Sequence, residues 1–245
     1  MTLAADWPEQ RETLRALATH LLARARHQAS GRFSLEPSPG GFATPVFATA
    51  DGAYRRLRVA TAPHAVLVDE HVGPHGATAR YLQLGDTSLA SLAFEIGVDL
   101  DADFSVGHDT PDLGDRHRPI RVDPSVLSTI GDWYALGAIA IDRSVTALTA
   151  RAPGVARVWP EHFDLGTDVE VAPDRRCNLG ASPGDDSHSE PYLYVGPFGD
   201  ERPGRGGYWN ASFGAVRGYV DIVGAADPLH AATEFFHEGI RRLGA

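Results

Sequence analysis

The chain has 245 residues, 43% hydrophobic and 22% charged, which is ordinary for a globular protein with a sizeable core. Its net charge of −10 argues against nucleic acid and anionic membranes as partners, because both bind basic surfaces. All 22 Lys and Arg positions are arginine, so a Schiff-base lysine and a P-loop lysine are excluded. Neither pyridoxal phosphate nor a P-loop nucleotide is therefore expected as a cofactor.

Cys177 is the only cysteine, which excludes an internal disulfide and a cysteine-based zinc cluster. The first residues lack the basic segment and apolar run that are typical of a signal peptide. No stretch approaches the roughly 18 consecutive apolar residues that a membrane-spanning helix needs. These features lead us to expect a cytoplasmic protein with a reduced cysteine.

The first half of the chain begins with a predicted helix that has its N-cap at Asp6 and ends at Gly31. His20 and His27 share a face of this helix, and we expect them at its surface or boundary. A second helix is predicted after an N-cap at Asp86. Between the helices, turn residues separate short β-type runs: Arg32–Leu35, Val46–Ala48, Arg56–Ala60, Ala65–Glu70 and Thr78–Leu84.

The second half begins with a long predicted helix from Asp123, whose broad apolar stripe indicates a central position. A closing helix is predicted from Asp227. Strands are predicted between the two: Phe163–Val171, Cys177–Ala181, Glu190–Val195 and Tyr208–Phe213. Because strands cluster between isolated helices without regular alternation, the sequence predicts an α+β fold with largely antiparallel sheets and about four helices.

The domain organisation is predicted to be a single α+β domain over residues 1–245, with a possible duplication into halves 1–122 and 123–245. The duplication is suggested by an echo between Arg32–Gly40 and Arg176–Gly184, in which Arg, Leu and a Ser-Pro-Gly turn coincide. Chance or shared turn chemistry explains so short a match about as well. Both explanations stay open.

Residues 158–197 concentrate histidine, carboxylate and aromatic side chains in one strand-rich region. His162 and Asp164 are two residues apart, a spacing that puts both side chains on one face of an extended strand. With Glu190 from a neighbouring strand, they form a predicted catalytic set for a small-molecule enzyme of hydrolase type. In this set His162 acts as general base and Asp164 orients its ring.

A metal site is an alternative use of the same region. His162, His188 and Glu190 would supply two imidazoles and one carboxylate, which suit a divalent zinc or iron ion. Zinc would provide a hydroxide near neutral pH. The spacing is equally compatible with metal-free acid–base catalysis, so both alternatives stay open.

Aromatic side chains in the same part of the chain predict a substrate-binding surface. Four residues are candidates for it: Trp159, Tyr192, Tyr194 and Trp209. They would line a pocket for a small-molecule ligand if the strands pair. Alternatively, they form an aromatic patch on a non-catalytic small-molecule-binding or protein-interaction module, or the face of a homodimer.

Several motifs occur in a characteristic order: Gly40–Pro45, Asp132–Gly137, Trp159–Asp164, Ser182–Asp185 and Glu190–Tyr192. In this combination the chain resembles a family of uncharacterised, mostly actinobacterial proteins, and the resemblance covers most of its length. It implies a bacterial, soluble protein. It brings no activity and no catalytic residues with it, so the functional predictions rest on the side chains.

Overall fold

The computed structural model describes residues 3–61, 64–74, 76–147, 154–204 and 207–244. Helices and mostly antiparallel sheets combine in an α+β fold, which confirms the predicted fold class. The chain divides into two compact units. The N-terminal unit contains Ala4–Asp132 and Val158–Phe163, and the C-terminal unit contains Met1–Leu3, Trp133–Arg157 and Asp164–Ala245. The duplication into halves 1–122 and 123–245 stays a prediction.

The first predicted helix has three parts: α1 (Trp7–Leu17), a π-helical segment (Ala18–Ala23) and α2 (Arg24–Ser30). It ends, as predicted, at Gly31, which has a left-handed φ of +69°. His20 lies in the π segment and is only 2% exposed, so its expected surface position is wrong. Burial and then the neighbouring Arg24 lower the pKa of His20 below its ordinary value, although nearby backbone carbonyls oppose this.

The strands of the N-terminal unit are β1 (Glu36–Ser38), β2 (Gly41–Ala43), β3 (Phe47–Ala48), β4 (Tyr54–Thr61), β5 (Ala65–Gly73), β6 (Gly76–Gln83), β7 (Gly85–Ser88) and β8 (Pro119–Arg121). The main sheet has the order β1-β2-β4-β5-β6, and β3 pairs with β4. Strand β7 leads into α3 (Leu89–Ile96), which is capped by Ser88 through a 3.2 Å bond to the Ser91 amide. The predicted cap at Asp86 is wrong, since Asp86 lies in β7 with φ +53°.

Helix α4 (Pro124–Ala147) begins after the predicted N-cap Asp123, whose carboxylate accepts a 2.8 Å bond from the Ser125 amide. Its first turns, to Asp132, belong to the N-terminal unit and the remainder belongs to the C-terminal unit. Among the described helices, none combines the length and apolar character needed to cross a membrane.

The remaining elements are β9 (Arg157–Trp159), β10 (Asp164–Ala172), β11 (Arg175–Ser182), β12 (Tyr192–Pro197), β13 (Ala215–Gly218), α5 (Tyr219–Val223) and α6 (Pro228–Gly244). The strands form an antiparallel sheet in the order β13-β12-β11-β10-β9. The predicted strand Tyr208–Phe213 is wrong, because this segment is irregular and contains only an isolated bridge between Ala211 and Gly214. The predicted closing helix is α6, and Asp227 caps it through a 2.9 Å bond to the His230 amide.

One face of the five-stranded sheet packs against helices of its own unit. This face carries buried Leu165, Leu179, Ala181, Leu193 and Val195. The helices meet it through glycines: a Cβ at Gly137 in α4 would lie 2.6 Å from Ala181, and one at Gly239 in α6 would lie 2.9 Å from Val195. The opposite face carries the polar side chains described below.

A buried carboxylate holds three cationic or polar side chains in the main sheet of the N-terminal unit. Asp69 on β5 is 1% exposed and accepts bonds from Arg55 Nε at 2.8 Å and Arg80 Nη2 at 3.1 Å. His71 Nε2 lies 2.9 Å from its Oδ1. Burial alone would raise the pKa of Asp69, but the two arginines and His71 outweigh it and lower the pKa below its usual value.

The pH dependence of stability should report this charge cluster. A folded-state pKa below the ordinary 3.8 means that ionised Asp69 stabilises the fold above that pH. The stabilisation is lost as the pH falls through the lowered pKa. Asp69→Asn should lower the unfolding free energy by about 3–5 kcal/mol at neutral pH, because it leaves a desolvated arginine without its counter-charge. The variant should also lose less stability than wild type as the pH falls. Urea unfolding at a series of pH values would measure the stability and its pH dependence, with Asp103→Asn, at an exposed aspartate, as the control.

A glycine contact sets how closely α4 approaches the β1–β2 hairpin within the N-terminal unit. A Cβ at Gly131 would lie 2.4 Å from the Gly41 amide nitrogen and 2.9 Å from the Gly40 carbonyl carbon. Both contacts are with backbone, which cannot rotate out of the way as a side chain can. The Gly-Gly pair and Gly131 therefore form one close packing contact.

We expect Gly131→Ala to destabilise the fold although alanine favours helix, because the helix and hairpin must separate. The cost should be about 1–3 kcal/mol, typical of overpacking, and measurable as a lower urea midpoint. Gly199→Ala is the matched control, since nothing lies within 4 Å of its added Cβ. Equal midpoints for the two variants would contradict the packing argument.

Candidate functional site

Polar and aromatic side chains gather on the other face of strands β10–β12 and in the β11–β12 loop, within the C-terminal unit. Five of them form what is called here the tyrosine–aspartate cluster: Asp164, Asp185, His188, Tyr192 and Tyr194. The strand register places Gly180 opposite Tyr194 and Ser182 opposite Tyr192. Tyr192 and Tyr194 therefore lie on one face, as the sequence predicts, with ring centroids 6.2 Å apart.

Tyr194 lies flat across two neighbouring strands. A Cβ at Gly180 on β11 would be 2.3 Å from its Cζ, and a Cβ at Gly166 on β10 would be 3.0 Å from its hydroxyl oxygen. The ring therefore occupies space that any side chain at Gly180 would fill. In this position its hydroxyl donates a hydrogen bond to Oδ2 of buried Asp164.

Tyr192 makes a second phenol–carboxylate contact at the other end of the cluster. Its hydroxyl donates to Oδ2 of Asp185, in the loop that joins β11 to β12. The other carboxylate oxygen of Asp185 accepts from the Ser187 amide at 2.6 Å and the His188 amide at 2.8 Å. Asp185 therefore closes the loop and fixes it to the start of β12.

His188 packs on this arrangement. Its ring is tilted against Tyr192 with centroids 5.0 Å apart, and the residue is half-buried. Among the described residues, its Nδ1 is buried without a hydrogen-bond partner. A buried polar atom gains free energy when it is paired, which makes this imidazole a candidate for contact with a bound molecule.

The cluster is supported from behind by aromatic residues of α4 and α5. Trp133 donates from Nε1 to the Ser182 carbonyl at 2.9 Å and packs edge-on against Tyr219 at 5.3 Å. Tyr134 is completely buried, and the charge of Asp164 acts on it. These contacts hold the end of β11 and hence the loop that begins there.

The protonation states follow from burial and the carboxylates. Burial first, and then the neighbouring aspartates, raise the pKa values of Tyr192 and Tyr194 well above those of free phenols, so both stay protonated at neutral pH. Burial would raise the pKa of Asp185, but hydrogen bonds from Tyr192 and the loop amides lower it, which keeps the carboxylate ionised.

His162 does not share a strand with Asp164, so the premise that paired them is wrong. Residues 160–163 form a turn, Phe163 has a left-handed φ of +53°, and β10 begins at Asp164. His162 belongs to the N-terminal unit, where its exposed ring has Nε2 3.7 Å from Asp109. Asp164 belongs to the C-terminal unit and is bonded by Tyr194. The catalytic role given to the pair stays a prediction.

The other predicted residues are distributed as follows. Glu190 is exposed in the β11–β12 loop. Trp159, in the N-terminal unit, is 37% exposed and packs edge-on against Phe33 at 6.2 Å. Trp209 is half-buried and donates to the Pro203 carbonyl at 2.9 Å, and its ring contact is with Tyr208 at 4.8 Å. Of the four predicted aromatic residues, Tyr192 and Tyr194 are the pair in direct ring contact.

The structure adds no support for the predicted metal site. The described residues contain no group of three or more His, Cys, Asp or Glu side chains placed to hold a metal ion. Of the predicted ligands, His188 and Glu190 lie in one loop, whereas His162 belongs to the other unit. The predicted zinc or iron site therefore rests on the sequence pattern alone.

Asp185 is the member of the cluster that the sequence analysis did not identify, because short polar runs such as Asp185–Ser187 are common in solvated turns. The local signal was the aspartate itself, because an Asp side chain in a turn often accepts hydrogen bonds from backbone amides two or three residues later, as in an Asx turn. The other carboxylate oxygen of Asp185 accepts a hydrogen bond from Tyr192, which is seven residues away on the next strand. That contact depends on strand pairing, which local sequence does not reveal.

Gly180→Ala should disrupt the cluster, because the new methyl group takes the space of the Tyr194 ring. We expect a loss of about 1–3 kcal/mol in unfolding free energy, typical of overpacking, measured by urea unfolding. Gly196→Ala is the matched control on the same face, since its added Cβ would meet no atom closer than 3.9 Å. If both variants unfold at the same urea concentration, the position of the Tyr194 ring does not depend on the missing side chain at Gly180.

Comparison with known proteins assigns no function to this arrangement of side chains. No protein-family model, curated protein or solved structure matches the chain. The resemblance to mostly actinobacterial proteins stays an expectation, and any function is argued from the arrangement of the side chains.

Proposed function

We propose that the chain is a small-molecule enzyme of hydrolase type, with a His/carboxylate site on strands β10–β12 and the β11–β12 loop of the C-terminal unit. The observation that carries the proposal is His188, whose buried Nδ1 has no hydrogen-bond partner among the described residues and whose backbone amide donates to ionised Asp185. The charge of Asp185 also acts on the His188 ring, and a half-buried imidazole in the field of a fixed carboxylate suits a general base.

In the proposed reaction, His188 removes a proton from a water molecule whose oxygen attacks the carbonyl carbon of a small ester or amide. The C–O or C–N bond to the leaving group then breaks, and the imidazolium returns the proton to that group. Asp185 acts as a positioning residue, because its negative charge stabilises the imidazolium and its bonds from the loop amides fix the backbone that carries His188. Tyr192 in turn orients Asp185.

This assignment moves the proposed base from His162 to His188 and the carboxylate from Asp164 to Asp185. Asp164 is hydrogen-bonded by Tyr194 below the same face, so it helps to shape the sheet. Glu190 is exposed in the loop that carries His188, and it stays a candidate for contact with the substrate.

A non-catalytic small-molecule-binding role is the second candidate. It is favoured by Phe213, which is 40% exposed and packs edge-on against half-buried Tyr194 at 6.4 Å. Together with Tyr192 these rings make an aromatic row that suits a flat apolar ligand. Binding at this row needs no proton transfer by His188.

The first test is hydrolysis of p-nitrophenyl acetate and related short esters by wild type and by His188→Gln. We expect the variant to lose about 100-fold or more of kcat/KM, within the range that general-base catalysis supplies. Asp185→Asn should lower kcat with a smaller effect on KM, because Asp185 acts through His188. His117→Gln, at an exposed histidine of the N-terminal unit, serves as the control.

Two results would count against an enzyme. Activity no higher than that of the buffer blank across the ester panel would remove the hydrolase proposal. Hydrolysis that His188→Gln leaves unchanged would place the reaction elsewhere. Ligand-induced quenching of aromatic fluorescence without turnover, lost in Tyr194→Leu, would favour the binding role.

A further inference from the structure

We propose that the chain forms a two-fold symmetric dimer in which the β6 strands of two copies pair antiparallel. Strand β6 is the last strand of the main sheet in the N-terminal unit. Among the described residues, β5 is its one strand partner, and nearly all of β6 is exposed. The proposal concerns a different unit from the tyrosine–aspartate cluster and does not depend on its function.

The outward backbone groups of β6 can be identified from its register. Leu84 donates to the Ala65 carbonyl at 2.9 Å, and the β5–β6 pairs continue that register from Val66 and Gln83. Because hydrogen-bonded and non-bonded pairs alternate along an antiparallel ladder, even-numbered residues of β6 bond to β5. The amide and carbonyl groups of Ala77, Ala79 and Tyr81 therefore point away from the sheet.

This edge lacks the features that usually prevent strand pairing. Within Gly76–Gln83 there is no proline or lysine, and the one charged residue is Arg80. Arg80 is directed along the sheet, where it binds Asp69 at 3.1 Å and the Glu95 carbonyl. Natural proteins protect long edge strands with charges, prolines or bulges, so an unprotected one is typical of a strand that pairs.

The side chains of β6 complement a second copy of themselves. Tyr81 is 61% exposed on the face that also carries the small Ala77 and Ala79. Those alanines line a shallow groove of about 330 Å³, together with exposed Tyr54 and Val72. If Ala79 pairs with Ala79 of the second copy, each Tyr81 lies opposite an Ala77 and covers the edge of the groove.

Charge selects the same register. With the two-fold axis at Ala79, Arg80 lies opposite Thr78 of the second copy. Moving the two-fold axis by one residue, to Arg80, would place Arg80 opposite Arg80 of the second copy. Like charges that face one another across strands are destabilising. A second copy is therefore the occupant that fits the backbone, the side-chain sizes and the charges together.

The test is the mass of the full chain in solution by light scattering and native mass spectrometry. We expect a species of twice the 26.2 kDa chain mass. Ala79→Glu and Ala79→Arg should each be monomeric, because each places two like charges across the axis. Mixing the two variants should restore a heterodimer. Val220→Glu, at a residue 61% exposed on α5, should remain dimeric.

Ala79→Pro is a second variant in case a charge disturbs folding. It removes an amide that points away from β5, a position where an edge strand tolerates proline, and should give a folded monomer by circular dichroism. A monomeric wild type would overturn the proposal. So would a dimer that survives both Ala79→Glu and Ala79→Pro, or charge variants that fail to pair with each other.

Discussion

The close contact between Tyr194 and the backbone of two strands determines the shape of the candidate site. Because β10 and β11 have no side chain at Gly166 and Gly180, the ring can lie flat and its hydroxyl can reach Asp164. A bulky residue at either glycine would lift the ring away from the sheet. Tyr192, on the same strand face, holds the β11–β12 loop through its hydrogen bond to Asp185.

Several helix ends, which depend on local chemistry, were predictable from the sequence, although the cap predicted at Asp86 was wrong. The caps at Asp123 and Asp227 and the stop at Gly31 were found where predicted, because each is decided by a few neighbouring residues. The segment Tyr208–Phe213 was not, because its aromatic residues imitate a strand pattern while packing within a loop. Alternation in sequence records which residues are buried, and a loop can bury aromatics without strand pairing.

The candidate site was predictable in part. Tyr192 and Tyr194 were correctly placed on one strand face, since that follows from a period of two within a single strand. The pairing of His162 with Asp164 used the same rule across a turn, where the left-handed Phe163 interrupts the period. The role of Asp185 needed knowledge of the β11–β12 pairing, which joins residues distant in sequence.

The π segment in the first helix has a consequence for how this chain tolerates change in length. A π turn holds one residue more than an α turn, so it offsets the direction of every side chain that follows. The guanidinium of Arg24 now reaches the carbonyls of Asp99, Leu100 and Ala102. A regular α-helix of unchanged length over Ala18–Ala23 would rotate Arg24 by about 100°, away from those carbonyls, whereas deleting one residue there would remove the π turn and leave Arg24 close to its present direction. The π segment is therefore a place where this helix can lose one residue while Arg24 still reaches the carbonyls of residues 99–102.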